Sequence, residues 1–439
     1  NIIIVRGRYN DENGDQTGHV RIYEFIDGTW GQIGEDINGD NNGEYFGWST
    51  SMSDNGDIVA VANKSSNGIV KIYENNDGVW EQMGGDIIDN TFIESISLNE
   101  DGSIVSIGLY EGYVSVYQYS GDAWNQLGGD ILLPESSQNC ENSISLNNSG
   151  DIIAIGVSQN DDNSYNSGNT KCYSFNGNSW NQLGQDLYGE SEGDYSGGSV
   201  SLSNSGNILA IGASRNTDNG LDAGHVRIYE LINISGNTYE WIQVGLDIDG
   251  NSLERSGFAI SLNGEGNVVA IGSPGNGTGG NAQGGGVGYV RIYNFIDGSW
   301  AQIGENLVGE YSADGSGRSV NLSADGSAVA IGAPWNYVSE LGGSNQFGTN
   351  NAGHVRVYEI NSPCSIPGCP DSTASNYDPE ATEDDGSCEY CNDEISYTYI
   401  TSCDSVLWNE NWYSTSGTYD TTFTSTGSGF NLTSNKQGN

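Results

Sequence analysis

The sequence predicts an all-β fold built from seven similar units. Short apolar runs rich in Val, Ile, Leu, Tyr and Trp alternate with turns rich in Gly, Asn, Ser and Asp, a pattern typical of strands joined by turns. One set of four predicted strands recurs along the chain. It is clearest in residues 199–245, where strands are predicted at Val200–Ser203, Ile208–Gly212, Val226–Glu230 and Trp241–Gly245.

The spacing of six tryptophans sets the repeat period. Equivalent predicted strands begin at Trp30, Trp80, Trp124, Trp180, Trp241 and Trp300. The intervals between these residues are 50, 44, 56, 61 and 59 positions. A period near 50 residues with four strands per unit is typical of a β-propeller blade. One blade cannot bury both of its faces alone, so we predict a seven-bladed β-propeller with four-stranded blades over residues 1–360.

The strands of each unit can be counted. Second strands are predicted at Ile2–Arg6, Ile58–Ala62, Ile104–Gly108, Ile152–Gly156, Ile208–Gly212, Val268–Gly272 and Val329–Gly332. Third strands are predicted at Val20–Glu24, Val70–Glu74, Val114–Gln118, Lys171–Phe175, Val226–Glu230, Val290–Asn294 and Val355–Glu359. First strands and Trp strands occur only six times each. The missing pair, the first strand of the first blade and the Trp strand of the last, would precede Asn1, and we expect an upstream segment to supply both.

Turns and loops follow the same order in each unit. Asp, Asn or Ser followed by Gly predicts a tight hairpin between the first and second strands, at Ser53–Gly56, Asn99–Gly102, Asn147–Gly150 and Ser323–Gly326. The loop between the second and third strands varies most and is long at Ser273–Gly288 and Pro334–Gly353. Long variable loops on a rigid scaffold commonly bind ligands, so this face is the predicted binding face.

The aromatic residues and histidines differ in whether they belong to the repeat pattern. Trp335 and Tyr337 lie in the long seventh loop, outside the repeat pattern, and are the first candidates for ligand contact. The six repeat tryptophans are expected to pack between blades, with a sugar-stacking platform as the alternative. His19, His225 and His354 occupy one repeat position on separate blades, so we expect them to be structural, with the Arg two residues later reaching a neighbouring turn or acid.

Several motifs carry a family resemblance. Gly257 with Phe258, the Ala-Ile-Gly-Ala-Pro of Ala330–Pro334 and the stretch Gly353–Tyr358 resemble the FG-GAP repeats of integrin α-subunit propellers. Integrin-like repeats of large secreted and surface proteins of microbes are more similar still. The resemblance covers residues 1–360 and implies the propeller fold. Integrin repeats carry an Asp-x-Asp-x-Asp-Gly calcium loop between the first two strands, whereas this turn has four residues, so we expect no calcium in the blades.

Residues 361–392 form an acidic segment rich in cysteine. From Cys364 to Cys391 it reads CSIPGCPDSTASNYDPEATEDDGSCEYC and resembles the short cysteine repeats of exported bacterial proteins, which are similar to thrombospondin type 3 calcium repeats. Calcium prefers several oxygen ligands in flexible geometry. The candidate ligands are Asp371, Asn376, Asp378, Glu380, Asp384 and Asp385. The alternative is an acidic loop held only by disulfides.

Five of the seven cysteines crowd this end of the chain, which favours disulfides and an oxidising, extracellular setting. The preferred bridge is Cys369–Cys388, with Cys364–Cys391 as an outer bridge. A zinc site made of the same four thiolates stays open as the alternative. Cys140 and Cys172 belong to one predicted blade, and whether they pair is also left open.

The final segment, residues 393–439, resembles part of a small β module. From Cys403 it reads CDSVLWNENWYSTSGTYDTTFTSTGS, similar to modules in proteins of the type IX secretion route. Those modules usually repeat the Cys-Asp-Ser motif. No second copy occurs near Thr426–Phe430, so a partial module is expected.

Charge and motifs narrow the function. The chain has 13 basic and 58 acidic residues, a formal charge of −45, which argues against nucleic acids and anionic membranes as partners. No apolar run approaches the ~20 residues that span a bilayer, so no membrane insertion is expected. Ser-His-Asp, phosphate-loop and His-Glu-x-x-His motifs are absent.

We expect a non-catalytic adhesion or recognition protein, extracellular or at the cell surface. It would bind a glycan or protein ligand through the loop face of the propeller, and calcium is the one cofactor implied. One alternative is a carbohydrate-active propeller enzyme that uses carboxylates in the central channel. Another is a structural spacer in a surface filament or giant surface protein.

Overall fold

A computed structural model gives the fold. The described residues are 1–133, 142–236, 238–275, 286–311, 314–335 and 353–360, with four further strands between residues 406 and 435. The chain divides into two compact units, Asn1–Gly326 with Ala330–Val355, and Ser327–Val329 with Arg356–Asn439. No helix occurs among the described residues, as the all-β prediction requires.

Each repeat contributes strands of four kinds. The first, or inner, strands are β5 (Ser49–Met52), β10 (Ile93–Leu98), β15 (Asn142–Leu146), β20 (Ser196–Leu202), β25 (Ala259–Leu262) and β29 (Ser319–Leu322). The second strands are β1 (Ile2–Gly7), β6 (Ile58–Ala62), β11 (Ile104–Leu109), β16 (Ile152–Val157), β21 (Ile208–Ala213), β26 (Val268–Ser273) and β30 (Ala328–Ala333). The third strands are β2 (His19–Ile26), β7 (Gly68–Asn76), β12 (Tyr113–Tyr119), β17 (Asn169–Phe175), β22 (His225–Ser235), β27 (Tyr289–Ile296) and β31 (His354–Glu359). The fourth strands, which carry the repeated tryptophans, are β3 (Thr29–Gln32), β8 (Val79–Gln82), β13 (Trp124–Gln126), β18 (Trp180–Gln182), β23 (Thr238–Gln243) and β28 (Ser299–Val308).

These strands form seven antiparallel sheets, so the predicted seven-bladed β-propeller is confirmed. In blades 2 to 6 the strand order runs from inner to second, third and fourth strand, as in β5-β6-β7-β8. Blade 1 has the order β1-β2-β3 and blade 7 the order β29-β30-β31. Among the described residues, blade 1 therefore has no inner strand and blade 7 no fourth strand, as the strand count predicted.

A short fifth strand follows the Trp strand in blades 1 to 5 and was not predicted. These strands are β4 (Ile37–Asn38), β9 (Ile87–Asp89), β14 (Ile131–Leu132), β19 (Leu187–Tyr188) and β24 (Ile248–Asp249). Each pairs with the start of the third strand, as in the pairing of Val20 with Ile37. In blade 6 the strand β28 continues through this position. Two or three residues are too few to show a periodic pattern, although each of these strands begins with a buried Ile or Leu.

The apolar cores lie between blades rather than within them. One core cluster joins residues of blades 2 and 3, including Ala60, Ile72, Ile96 and Ile107. Similar clusters join blades 1 and 2, 3 and 4, 4 and 5, and 5 and 6. Burying apolar surface is the main favourable contribution to folding, so each blade depends on its neighbours for stability.

Polar bonds also join each blade to the next. The indole nitrogen of Trp180 donates to the carbonyl oxygen of Leu127 in the preceding blade at 2.9 Å. The indoles of Trp80, Trp124, Trp241 and Trp300 make the same bond to Ile33, Met83, Leu183 and Val244. The expected packing role of the repeat tryptophans is therefore seen in blades 2 to 6.

Serines of the inner strands make a second set of bonds between blades. The hydroxyl of Ser145 in β15 accepts a hydrogen bond from the backbone N–H of Leu202 in β20 at 3.0 Å. Equivalent bonds end at Ser49, Ser51, Ser97, Ser199, Ser201 and Ser261. These hydroxyls pair backbone groups on the inner edge of the following blade. An unpaired buried N–H would be costly there.

The tight turns between first and second strands are connected too. The backbone N–H of Glu100 donates to the carbonyl oxygen of Asn148, and the backbone N–H of Asn148 donates to the carbonyl oxygen of Asn204. The chain of bonds runs from Asp54 to Ala324 through six turns. Gly102 and its equivalents adopt positive φ, from 69° to 79°, as the Gly of the predicted turn requires.

The second unit contains two antiparallel hairpins. They are β32 (Val406–Trp408) with β33 (Asn411–Tyr413), and β34 (Asp420–Thr426) with β35 (Gly429–Asn435). These strands lie in the segment predicted as a partial β module. The predicted boundaries at 361 and 393 stay predictions. In the part of the chain that the structure describes, no helix is both long and apolar enough to span a bilayer.

The interblade indole bond can be tested by substitution. Trp180→Phe should lower the free energy of unfolding by about 1–3 kcal/mol, because the Leu127 carbonyl loses its partner. The measurement is urea denaturation followed by circular dichroism. Trp30→Phe is the matched control, since the Trp30 indole donates no hydrogen bond among the described residues and the loss of ring size is the same. Equal destabilisation of the two variants would contradict the assigned bond.

Candidate functional site

The predicted binding face has a defined position in each blade. In blade 2 the inner-strand residue Ser49 pairs with Ala62 of the second strand. The start of the inner strand and the loop that leaves the second strand therefore lie at the same edge of the blade. Because inner strands surround the axis of a propeller, this edge borders the mouth of the central channel.

Six side chains from blades 1, 2, 6 and 7 form a cluster of arginines and aromatic rings at this edge, the "mouth cluster". Its members are Arg6, Arg8, Trp48, Phe258, Arg318 and Trp335. None of the arginines is required by the repeat pattern. The position of Arg6 is occupied in the other blades by Ala62, Gly108, Gly156, Gly212, Gly272 and Gly332.

Glycine is needed at this position in some blades. A Cβ atom on Gly212 would lie 2.1 Å from the carbonyl oxygen of Gly257 in the next blade, so no side chain fits. In blade 1 the same position carries Arg6, whose Nη1 donates to the carbonyl oxygen of Trp48 at 2.5 Å. The guanidinium group thus extends over the start of the inner strand of blade 2.

Arg6 is electrostatically unusual. Its side chain is exposed to solvent, yet protein surrounds it closely enough that burial lowers the pKa of its guanidinium to about 10. The charges of Arg8 and Arg318 contribute further to this lowering. Arg6 is still cationic at neutral pH, and three like charges are close enough to affect one another.

Arg8 and Trp48 form the blade 1 and blade 2 side of the cluster. The Arg8 guanidinium carbon lies 4.4 Å from the centroid of the Trp48 ring and 4.8 Å from that of Tyr9. Lys64 Nζ lies 3.8 Å from the Trp48 ring and is paired with Glu94 at 3.1 Å. Cations at these distances interact favourably with the ring face. Within the described part of the chain, neither Arg6 nor Arg8 forms an ion pair.

Trp335 lies on the opposite side of the cluster, next to Arg318. The Arg318 guanidinium carbon is 4.6 Å from the Trp335 ring centroid and 4.9 Å from that of Phe258. Backbone packing fixes Trp335, because a Cβ atom on Gly315 would lie 2.6 Å from its ring. The backbone N–H of Trp335 also donates to the carbonyl of Asp314 at 3.2 Å. Tyr337, the other predicted contact residue, lies outside the described residues.

Most basic residues away from this edge pair with acids. Arg21, Lys71, Lys171, Arg227 and Arg291 occupy one position in the third strands and form ion pairs with Asp36, Asp40, Asp186, Asp247 and Glu254. The edge that borders the channel mouth carries Arg6, Arg8, Lys64, Arg215 and Arg318, of which Lys64 is paired with Glu94. A strongly acidic chain therefore gathers a large share of its positive charge on one edge.

Two groups, each with one histidine and two acids, have ligand atoms close enough together to hold a metal ion. They are Glu12, His19 and Asp36 in blade 1, and Glu190, His225 and Asp247 in blade 5. Each group already contains an arginine. Arg21 contacts Asp36 at 2.7 Å, and Arg227 pairs with Asp247 at 2.8 Å and with Glu190. The guanidinium groups neutralise these carboxylates, and Arg21 and Arg227 thus reach acids as expected, while the structural role of the histidines stays a prediction.

The predicted metal and disulfide sites lie outside the described residues. These are the calcium ligands Asp371, Asn376, Asp378, Glu380, Asp384 and Asp385, and the bridges Cys369–Cys388 and Cys364–Cys391. Cys140 also lies outside the described residues. Cys172 is buried in the core between blades 4 and 5, where burial raises the pKa of its thiol well above the usual range.

One pair of acids lies among the inner turns. Asp54 and Glu100 occupy equivalent positions in adjacent turns, joined by a backbone hydrogen bond of 3.0 Å. Partial burial raises the pKa of Asp54, and the charge of Glu100 raises it further. A hydrogen bond from the Asn148 amide to Asp54 opposes this rise. The sequence singled out no carboxylate pair for the enzyme alternative, and these two are close enough for the charge of one to act on the other.

Comparison with solved structures supports the fold. The chain is similar to a candidate 6-phosphogluconolactonase from Bacteroides uniformis, with 13% identity, a TM-score of 0.53, and coverage of 82% of this chain and 92% of that one. It is also similar to a protein from Lactobacillus plantarum, with 11% identity, a TM-score of 0.50, and coverage of 81% and 91%. The β-propeller domain of Cps50 (Swd1) from Myceliophteria thermophila aligns with 13% identity and a TM-score of 0.46, covering 75% and 94%.

The first two likenesses agree with the fold described above, and at such identities they show nothing beyond the fold. No protein-family model matches the chain. No curated protein matches it in sequence.

Sequence reasoning named Trp335 as a candidate contact residue but did not name the arginines near it, and its role in binding stays a prediction. The signal was present as departures from the repeat. Arg6 replaces Gly or Ala of the second strand, and Arg318 stands where blade 6 has Phe258. Aligning the units position by position, and then asking which residues the blade does not need, would have found both.

His225 provides a test of the electrostatics within the blades. Burial lowers its pKa, followed by the charge of Arg227, and Nδ1 lies 3.6 Å from Asp247 without a hydrogen bond. The unfolded chain therefore binds a proton first on acidification, and stability falls as the pH drops through the unfolded value of about 6.5.

His225→Asn, which copies Asn169 at the same position of blade 4, should reduce this loss of stability. The measurement is the urea midpoint at pH 7.5 and at pH 5.5. An unchanged drop in midpoint for the variant would contradict the assignment.

Proposed function

We propose that this chain is a non-catalytic recognition protein of the extracellular space or cell surface. It binds a glycan or protein ligand at the channel mouth on the loop face of the propeller. The observation that carries the proposal is the mouth cluster, in which one exposed and two half-buried arginines and three aromatic rings from four blades converge. Guanidinium and indole groups bind ligands well, but at neutral pH they supply neither a nucleophile nor an acid–base pair.

The aromatic members suit a saccharide. Trp48 and Trp335 are both only half-buried, so each leaves part of its surface to solvent. Aromatic rings pack against the apolar faces of pyranose rings, while arginines hydrogen-bond to hydroxyl and acidic oxygens. Packing against Gly315 holds Trp335 in place, which lowers the entropy lost when a ligand binds.

The finer assignments are part of the same proposal. We infer kinship with integrin-like FG-GAP propellers from the motifs at Gly257–Phe258 and Ala330–Pro334. In blade 6, Gly257 has φ of +81° and packs against the backbone of Gly212, which gives this motif a structural reason. Calcium binding by the acidic segment is the cofactor proposed.

Ligand contact by Trp335 can be measured directly. Trp335→Ala should weaken binding to glycans that the wild type retains on an array by about tenfold, because a stacking surface is lost. Tyr239→Ala is the matched control, since Tyr239 is an exposed aromatic residue of the fourth strand in blade 5. Equal binding by the wild type and Trp335→Ala, measured with and without a chelator, would exclude Trp335 from the site.

A carbohydrate-active enzyme is the second candidate, favoured by the raised pKa of Asp54 beside Glu100. A carboxylic acid with a raised pKa can act as a general acid while its neighbour stays ionised. This candidate predicts turnover of an oligosaccharide that Asp54→Asn lowers at least a hundredfold, read by reducing-end release. Asp57→Asn, in the same hairpin, is the control. Absence of any product from the wild type rejects this candidate.

A structural spacer would show neither binding nor turnover.

A further inference from the structure

We propose that the mouth cluster recognises the end of a glycan chain that bears a single acidic group, a carboxylate or a sulfate ester. This inference rests on the proposed function and specifies its ligand. The acidic oxygens would contact Arg6 and Arg8, and the sugar ring would pack against Trp48.

The charge arrangement calls for an anion. Arg6 and Arg8 lie close together, and among the described residues no carboxylate pairs with either of them. Elsewhere in the blades this chain places an acid next to four arginines, Arg21, Arg227, Arg255 and Arg291. Bringing like charges together is unfavourable unless a counter-charge relieves it. A bound anion supplies that counter-charge, and the fork of a guanidinium suits carboxylate or sulfate oxygens.

Ring contacts place a sugar beside the anion. The Arg8 guanidinium lies over Trp48, so an acidic group that reaches Arg8 brings its carrier to the edge of this indole. Arg6 is bonded to the backbone of the same tryptophan. One residue therefore connects the two arginines, and a pyranose that carries an acidic substituent would reach both kinds of contact at once.

The rest of the surface limits the number of charges on the ligand. The chain has a net charge of −45, which repels any long polyanion. A densely sulfated polymer or a nucleic acid would leave most of its charges next to acidic protein surface. A chain end with one acidic group avoids this repulsion, because only its tip enters the cationic mouth. The charge distribution thus favours a terminal acidic sugar over a polyelectrolyte.

The test uses the whole chain and three immobilised oligosaccharides that differ only in the terminal residue. These are glucuronic acid, 6-sulfated glucose and glucose, so the first two arms distinguish a carboxylate from a sulfate. Binding is measured at 50 mM and 500 mM NaCl. We expect at least one acidic form to bind about tenfold more tightly than the neutral form at low salt, with the preference shrinking at high salt.

Variants identify the residues. Arg8→Gln and, independently, Arg6→Gln should each abolish the preference for the acidic form. Arg215→Gln should keep it, since Arg215 is an exposed arginine of blade 5 that stacks on Tyr195 and the change in net charge is the same. Melting midpoints show whether each variant folds, and Arg8→Lys should recover part of the preference because it restores the charge.

The outcomes separate this inference from the proposed function. Equal binding of acidic and neutral forms, reduced by Trp335→Ala, would overturn the acidic ligand and leave glycan recognition standing. An acidic preference that survives both Arg6→Gln and Arg8→Gln would overturn the assigned residues. Absence of binding in all three arms would overturn the inference, and absence of binding on a broad glycan and protein panel would overturn the function as well.

Discussion

The contact between neighbouring blades is the constraint on which this structure depends. A four-stranded blade has two apolar faces and no interior of its own, so each core cluster is assembled from residues of two blades. The indole bond from Trp180 to Leu127 and the serine bond from Leu202 to Ser145 fix how one blade sits on the previous one. Five tryptophans and seven serines repeat these bonds through the chain, so the repeat pattern reflects interblade geometry more than strand formation.

This scaffold explains where a binding site can arise. Positions used for interblade contact tolerate little change, as the close approach of Gly212 to Gly257 shows. Residues that depart from the pattern are therefore informative. Arg6 and Trp335 stand where the blade needs no such side chain, and both lie at the edge that borders the channel mouth. The inner strands bring these edges together, so residues more than 300 positions apart join one cluster.

The sequence predicted the fold well because period and composition are collective signals. Counting the repeated units predicts the seven second strands, the tight Gly turns and the missing inner strand of blade 1. The short strand at Ile37–Asn38 was not predicted, because it is a strand through its pairing with Val20 and not through any local sequence pattern. The mouth cluster was not predicted for a related reason. The proximity of Arg6 and Arg318 depends on ring closure, which no local stretch of sequence encodes.

Hydrogen exchange of the free protein, read by mass spectrometry, tests the central claim that no blade is stable without its neighbours. The informative amides are those of Leu98, Leu146, Leu202 and Leu262, each bonded to a serine of the preceding blade. If interblade contacts govern stability, peptides containing these amides should exchange at one common, slow rate that matches global unfolding. Blades that exchange one after another, with well-separated free energies of opening, would show that each unit is stable alone and would contradict the account.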